Sequence, residues 1–342
     1  MKGLIVCAGK GSRLRPYTLT RPKTMIPVAG KPILFYAIEK LADEGIQDIG
    51  IVIHPSQEAV IYEAAGTGEK FGVTLTYLYQ NEPKGIADAV ATAESFIGKS
   101  DFVLMLGDNL VKEPLGPLMD QLQLAEACIL LTEVADPQHY GVVEINDYRI
   151  VRLDEKPKYP KSNLVIVGVY AFKSGIFNHI RNLTVSLRGE LEITDAIQRL
   201  IDQKNKVSYV ITNKNVSDVG NTERWLEANT WMMDEVCQGK NLISSDAVLI
   251  KCTLHEPVII GPDCRLENCS IGPYVSMISG AHLVECNIER SILLSDVTIL
   301  GTGQAFANSI LGDKACIKSQ SGTFAKGRFI LGDSSQCSWF EE

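Results

Sequence analysis

Nowhere in the 342 residues is there a run long and apolar enough to span a bilayer, which takes about 20 residues. A membrane partner is therefore not expected. The opening Met1-Lys2-Gly3-Leu4-Ile5-Val6 is too short for the apolar core of a secretory leader and lacks a cleavage pattern, so a cytoplasmic location is expected. The nine cysteines then stand as free thiols. No C-x-x-C pair occurs, and no histidine lies near Cys264 and Cys269 to complete a zinc-type set. Positive charge is scarce. With 33 Lys and Arg against 41 Asp and Glu, the net charge is −8, which argues against a nucleic-acid partner and the basic face it demands. An acidic protein that handles phosphate must concentrate its few cations locally, so Lys and Arg beside Gly-rich turns carry information.

What is present first is alternation. Leu4 to Cys7 is a short apolar strand. Pro32 suits a first helical turn, and Ile33, Leu34, Ala37, Ile38 and Leu41 follow at helical spacing until Gly45 stops the helix. Strands are expected at Ile49 to Ile53, Val73 to Tyr79 and Phe102 to Leu106, with a helix from Ile86 to about Phe96. Strands separated by helices imply a Rossmann-like α/β fold with a mostly parallel, mixed sheet. Ligands of such sheets bind outside the carboxyl ends of the strands, where the Gly9 turn and Asp108 both fall. Val142 to Ile145 and Ile150 to Asp154 flank Asn146-Asp147 as a hairpin, Leu164 to Phe172 is a further strand, and helices follow at Leu191 to Ile201 and from Glu223.

After Gly239 the texture changes. Ile260, Leu266, Ile271, Met277, Leu283, Leu311, Ile317 and Leu331 recur near every sixth residue. Cys264, Val275, Ala281, Ala315 and Ser335 each follow one of them by four. This hexapeptide repeat predicts a short left-handed parallel β-helix with cysteine used as packing. The register slips between Leu266 and Ile271, and Ile292 to Ile310 is irregular, so a few imperfect coils are expected. The domains are read as 1–239 for the α/β part and 246–342 for the tail.

Leu4 to Cys7 opens into Ala8-Gly9-Lys10-Gly11-Ser12-Arg13. Glycines let backbone N–H groups approach phosphate closely. The loop is not a Walker A motif, and the third glycine of a dinucleotide fingerprint falls on Leu14. Arg13, Arg21 and Lys23 beside this turn form a candidate triphosphate clamp; the plainer reading is a solvated basic loop.

The run GKGSRLRPYTLTRPKTMIPVAGKPIL resembles the start of the sugar-1-phosphate nucleotidyltransferases. The resemblance continues in order through Gln80-Asn81-Glu82-Pro83-Lys84-Gly85, Leu106-Gly107-Asp108-Asn109, Tyr140-Gly141, Glu155-Lys156-Pro157, Gly168-Val169-Tyr170 and Asp218-Val219-Gly220. Within that family it runs to the long form of the glucose-1-phosphate thymidylyltransferases, which shares Arg188 to Gln198 (RGELEITDAIQ) and a β-helical tail. The resemblance implies nucleotide binding by Ala8, Gly9, Gly11, Arg13, Gln80 and Gly85. It implies sugar-phosphate binding by Tyr140, Gly141, Glu155, Lys156 and Gly168, and metal binding by Asp108 and Asp218. Arg13, Lys23 and Asp108 would be the catalytic set.

The residue types fit those roles. Mg²⁺ takes hard oxygen ligands, usually one or two carboxylates plus phosphates and water, as Asp108 and Asp218 can supply. Arg13 and Lys23 can neutralise the α-phosphate and the departing pyrophosphate. Lys156 can hold the sugar phosphate and Glu155 can accept from sugar hydroxyls. Gln80 offers one donor and one acceptor, matching uracil or thymine. The expected reaction joins a nucleoside triphosphate, dTTP by preference, to a sugar 1-phosphate, glucose 1-phosphate by preference. UTP or another triphosphate, a non-catalytic nucleotide-sugar-binding paralogue, and an acetyl-transferring β-helix using His255 or His282 are the alternatives. The tail is expected to serve assembly, as part of a homo-oligomer, or stability, so that a chain ending near Gly239 keeps its chemistry.

Overall fold

A computed structural model of the protein describes residues 1–9, 11–319 and 327–339. The chain divides into two compact units, Met1–Lys10 with Ile33–Asp218 and Gly11–Pro32 with Val219–Glu342.

The first unit is built on one nine-stranded sheet. In chain order its elements begin with β1 (Lys2–Val6), α1 (Ile33–Asp43), β2 (Asp48–Ile53), β3 (Thr74–Tyr79), α2 (Ile86–Thr92) and β4 (Phe102–Leu106). They continue with β5 (Asn109–Val111), α3 (Gly116–Leu122), β6 (Ala127–Glu133), β7 (Gly141–Asn146), β8 (Arg149–Glu155), β9 (Leu164–Phe172), α4 (Ile193–Asp202), β10 (Val207–Ile211) and β11 (Val216–Asp218). The main sheet path is β8-β7-β9-β4-β1-β2-β3, with β6 pairing both β9 and β10. β4, β1, β2 and β3 run parallel, while β9 returns antiparallel against β4 and β6. β1 and β4 read as continuous apolar runs because both faces are covered; Leu4, Phe102 and Leu104 share one core with Val90, Phe172 and Ile197. The mixed, mostly parallel α/β sheet is as the sequence implies. The helix expected to reach Phe96 stops at Thr92, and Glu94–Ile97 forms a separate turn of helix after Ala93.

Strand register sets the site. Val6 lies opposite Leu106, and Gly107 N–H donates to Val6 C=O at 2.9 Å, so Ala8-Gly9 and Asp108 leave neighbouring strands at the same edge. Gln80 N–H donates to Ile53 C=O at 2.9 Å, which puts Gln80 at that carboxyl edge as well.

In the second unit, parallel strands stack into a six-stranded and an eight-stranded sheet, the wall pattern of a β-helix. The recurring aliphatics from Ile260 to Ile317 and Cys264 are buried with Cys269 and Cys286, and Leu331 is partly buried against them. A regular coil of three hexapeptides would take 18 residues. Here Val258 pairs with Val275 and Val275 with Ser291, coils one and two residues short, and Ile310 pairs with Ile330, two residues long. The slip between Leu266 and Ile271 falls in the short Val258–Val275 coil, whereas Ile292 pairs with Ile310 at a regular 18 residues and the irregularity of that stretch is a register shift where His282–Glu289 meets Thr298–Ala307. Left-handed residues recur at coil spacing, one series being Asp263, Gly280, Asp296, Lys314 and Ser334 and another Tyr274, Arg290 and Asn308.

Helix α5 (Thr222–Cys237) belongs to this unit, and so does the Gly11–Pro32 segment. Trp225 explains much of that. It is fully buried, its indole N–H donates to Pro27 C=O at 2.6 Å, and Tyr17 meets it edge-on at 5.1 Å. Asn229 Oδ1 accepts from Ala29 N–H at 2.8 Å and from the Ser276 hydroxyl at 3.0 Å, tying segment, helix and coil together. No helix among the described residues is long and apolar enough to cross a membrane.

Candidate active site

Three clusters of the expected residues form in the first unit. The first is built on β5 and β11, a pair too short to be visible in the sequence. They run antiparallel with Asp218 opposite Asn109, so the second carboxylate arrives beside the Asp108 turn. Asn109 is buried, and its Nδ2 donates to Val167 C=O at 2.5 Å. Gly168 makes that approach possible. It has φ +71°, and a Cβ there would sit 2.5 Å from Asn109 Nδ2 and 2.9 Å from Leu106 Cδ1. The register of β9 against β6 also shifts between Ile166 and Tyr170 to pass this point. Gly168 thus serves the carboxylate turn.

The second cluster fixes Gln80. Its Nε2 donates to the Asp88 carboxylate at 2.7 Å and to Gly85 C=O at 3.1 Å, and the residue is buried. The amide donor is therefore used internally, and Oε1 is the atom left to address a ligand. The matched donor-and-acceptor pair read from sequence reduces to an acceptor. Gly85, with φ +111°, lies so near Leu191 that a Cβ would come within 2.7 Å of its N. Leu191 N–H donates to Lys84 C=O at 2.7 Å, and Ala87 N–H to Leu191 C=O at 3.1 Å.

The third cluster follows from the β7–β8 hairpin, which pairs Gly141 with Glu155, while Lys156 N–H donates to Tyr140 C=O at 2.9 Å. A Cβ on Gly141 would lie 3.2 Å from Glu155 Oε2 and 2.9 Å from Thr194 Cγ2, so the glycine leaves room for that carboxylate. Thr194 Oγ1 donates to Glu155 at 3.2 Å, Arg188 lies 3.4 Å from it, and Lys156 Nζ 3.7 Å. Burial pushes the Glu155 carboxyl above the usual range; Lys156 opposes the rise, Glu192 adds to it, and Arg188 and Thr194 oppose it. Lys156 itself is held at φ +43°, a backbone conformation that side-chain-bearing residues seldom take. Arg188, Glu192 and Thr194 were not singled out residue by residue in the sequence. Glu192 is 3% exposed and accepts from Arg188 at 3.0 Å and from the Ser186 hydroxyl at 3.0 Å. The signal lay in the charged run Arg188-Gly189-Glu190-Leu191-Glu192 directly ahead of α4.

Gly11, Arg13 and Lys23 belong to the second unit. Gly11 has φ +60°, and a Cβ there would sit 3.0 Å from Lys23 Cβ and 2.9 Å from Thr18 Cγ2, so the glycine lets the Lys23 stem close against the turn. Arg13 lies on the short turn Ser12–Leu14, exposed, while Leu14 beside it is fully buried. Gly9 is open, with no atom within 4 Å of a notional Cβ, which leaves its backbone approachable. Arg21 is not with them. Its guanidinium pairs with Asp313 at 2.6 Å and Asp333 at 3.0 Å.

Comparison with known proteins gives the family. Residues 2–235 match the Nucleotidyl transferase family model. The chain is 35% identical to a glucose-1-phosphate thymidylyltransferase of Streptomyces antibioticus over 98% of its own length and 99% of the relative's. It is also 35% identical, with the same coverage, to the low-salt glycan biosynthesis nucleotidyltransferase of Haloferax volcanii. A Bacillus anthracis crystal structure described as a glucose-1-phosphate thymidylyltransferase with sucrose superposes with a TM-score of 0.64 at 34% identity, covering 68% of this chain and 94% of that one. The chain belongs to the nucleotidyl transferase family, as an enzyme of the sugar-1-phosphate nucleotidyltransferase class.

Proposed function

We propose that the enzyme transfers a thymidylyl group from dTTP to glucose 1-phosphate, with Mg²⁺ as cofactor, releasing pyrophosphate. The observation that carries the chemistry is the register that sets Asp218 opposite Asn109, beside Asp108. Two carboxylates at the carboxyl edge of the sheet are the protein's usual share of a Mg²⁺ coordination shell, the rest coming from phosphate and water. The donor set fits: it is all oxygen, and the buried Asn109 Oδ1 next to it has no hydrogen-bond partner. When bound, the ion would offset the charge that builds on the phosphates during displacement.

The chain's own residues do the rest. The open Gly9 and the left-handed Gly11 offer backbone N–H groups to phosphate. Arg13 and Lys23 neutralise the α-phosphate and the leaving pyrophosphate. Gln80 Oε1, aimed by the two hydrogen bonds on its Nε2, accepts the N3–H of thymine; uracil presents the same N–H, so UTP remains the competing substrate. Glu155, held by Thr194 and Arg188, accepts from sugar hydroxyls, and Lys156 binds the sugar phosphate. That phosphate has a second pKa of about 6 and is largely ionised at neutral pH, so it attacks the α-phosphorus in line without a general base. We place the reaction in the cytoplasm and the enzyme in a homo-oligomer.

The assay is a panel of dTTP, UTP, GTP and ATP against glucose 1-phosphate, read by pyrophosphate release. Preference for dTTP supports the reading, whereas preference for a purine triphosphate overturns the Gln80 assignment.

A further inference from the structure

The Gly11–Pro32 segment also contacts the last coils of the β-helix. Leu311-Gly312-Asp313 and Leu331-Gly332-Asp333 are the same tripeptide in successive coils, and Leu311 pairs with Leu331. Their aspartates therefore stack. Asp333 Oδ1 accepts from Asp313 N–H at 2.8 Å, and Asp313 Oδ1 accepts from Ser295 N–H at 2.9 Å. The remaining Oδ2 of each accepts from Arg21, whose side chain is 16% exposed. Thr20 Oγ1 also donates to Asp333. One coil inward, the fully buried Tyr17 hydroxyl donates to Ile310 C=O at 2.8 Å. Gly332 completes the fit: a Cβ there would lie 2.6 Å from Pro16 Cγ, so only glycine lets the segment rest on this coil.

Burial alone would raise the Asp333 carboxyl, but the hydrogen bonds from Thr20, Arg21 and the Asp313 N–H, together with the Arg21 charge, offset it and leave it below the usual range. It is thus charged at neutral pH and matched to Arg21. Such a paired, hydrogen-bonded contact is directional, unlike a solvated surface ion pair. Arg13 and Lys23 lie on the same 22-residue segment, on either side of these anchors.

We propose that the last coils of the β-helix position the Arg13–Lys23 segment for nucleotidyl transfer, through the grip of Asp313 and Asp333 on Arg21. This rests on the nucleotidyl-transfer reading of Arg13 and Lys23 given above. Arg21, Asp313 and Asp333 are positioning residues, and Arg21 adds no charge to the triphosphate clamp. The expectation that residues 246–342 serve assembly or stability alone, and that a chain ending near Gly239 keeps its chemistry, gives way to this role.

The test uses the full-length enzyme and compares Asp313→Asn/Asp333→Asn and Arg21→Lys with a control, Glu267→Gln. The control breaks an exposed Arg265–Glu267 ion pair elsewhere on the β-helix. The double variant should raise KM for the triphosphate at least about tenfold, with KM for the sugar phosphate within about twofold of wild type. Arg21→Lys keeps the charge but exchanges the planar guanidinium, whose Nη2 reaches both carboxylates, for a flexible ammonium, and should fall between. Amide hydrogen exchange across residues 11–32 should quicken in the double variant and stay unchanged in the control. A lowered melting temperature with unchanged KM and unchanged exchange would overturn the proposal. If the wild type turns over no triphosphate, the nucleotidyl-transfer reading itself fails. The exchange measurement then still decides whether the coils hold the segment.

Discussion

Replacing Gly168 by alanine should damage the Asp108 turn without touching a charged group. The residue sits at φ +71°, where a side chain costs about 1–2 kcal/mol. Its new Cβ would also stand 2.5 Å from Asn109 Nδ2 and 2.9 Å from Leu106 Cδ1. Neither neighbour gives way freely. Asn109 is buried and bonded to Val167 C=O, and Leu106 ends the central strand β4. Overpacking of this kind costs about 1–3 kcal/mol, so the total loss should be about 2–5 kcal/mol. The displaced Asn109 neighbours Asp108 in the chain and pairs with Asp218, so kcat should fall on the order of tenfold to a hundredfold. Urea unfolding and pyrophosphate release measure the two effects. Adding Asn109→Ala removes the 2.5 Å contact but leaves the Leu106 contact and the backbone strain. The double variant should therefore recover about 1–3 kcal/mol relative to additivity. Wild-type stability and turnover in Gly168→Ala, or strict additivity with Asn109→Ala, would refute the reasoning.

Three further outcomes are expected. Asp108→Asn should lower kcat on the order of a hundredfold or more while the far-ultraviolet circular dichroism stays native, and near-normal turnover with Mg²⁺ would remove it from the metal site. Gln80→Ala should blur the choice between thymine and purine triphosphates more than it slows the reaction with the preferred one at saturation, and an unchanged preference would exclude Gln80 from base reading. Burial raises the Glu155 carboxyl, so acidification should protonate it at a pH above the ordinary glutamate value of about 4.3, weakening sugar-phosphate binding. In a profile of kcat/KM against pH, Glu155→Gln should abolish that step and leave the substrate's own ionisation, and an identical acid limb in the variant would contradict the assignment.

The central sheet was legible because β1 and β4 are continuous apolar runs and α1 carries a clear helical period. Ala127–Glu133 was not singled out, since a short apolar run has no period to separate strand from buried helix. The hexapeptide texture pointed to the β-helix, and the slip after Leu266 is a real departure in coil length. Asp108 was legible as a strand-end aspartate beside glycine. The approach of Asp218 was not, because it depends on two three-residue strands far apart in the chain. Gln80 was found, but its orientation depends on Asp88 and Gly85. Arg21 was misgrouped for a physical reason: its partners lie 292 and 312 residues away, and no local pattern marks an arginine as already paired. Arg188 and Glu192 escaped because burial, which turns a charged run into a built cluster, is a property of the fold.

The central claim is the joining of a triphosphate to a sugar 1-phosphate, and the most direct measurement is product analysis. The purified enzyme would be incubated with dTTP, glucose 1-phosphate and Mg²⁺, and the nucleotide products and pyrophosphate quantified together. The account predicts one pyrophosphate for each dTDP-glucose formed, with no dTTP consumed when the sugar phosphate is omitted. Triphosphate hydrolysis independent of the sugar phosphate, or no pyrophosphate with any of the four triphosphates, would contradict it.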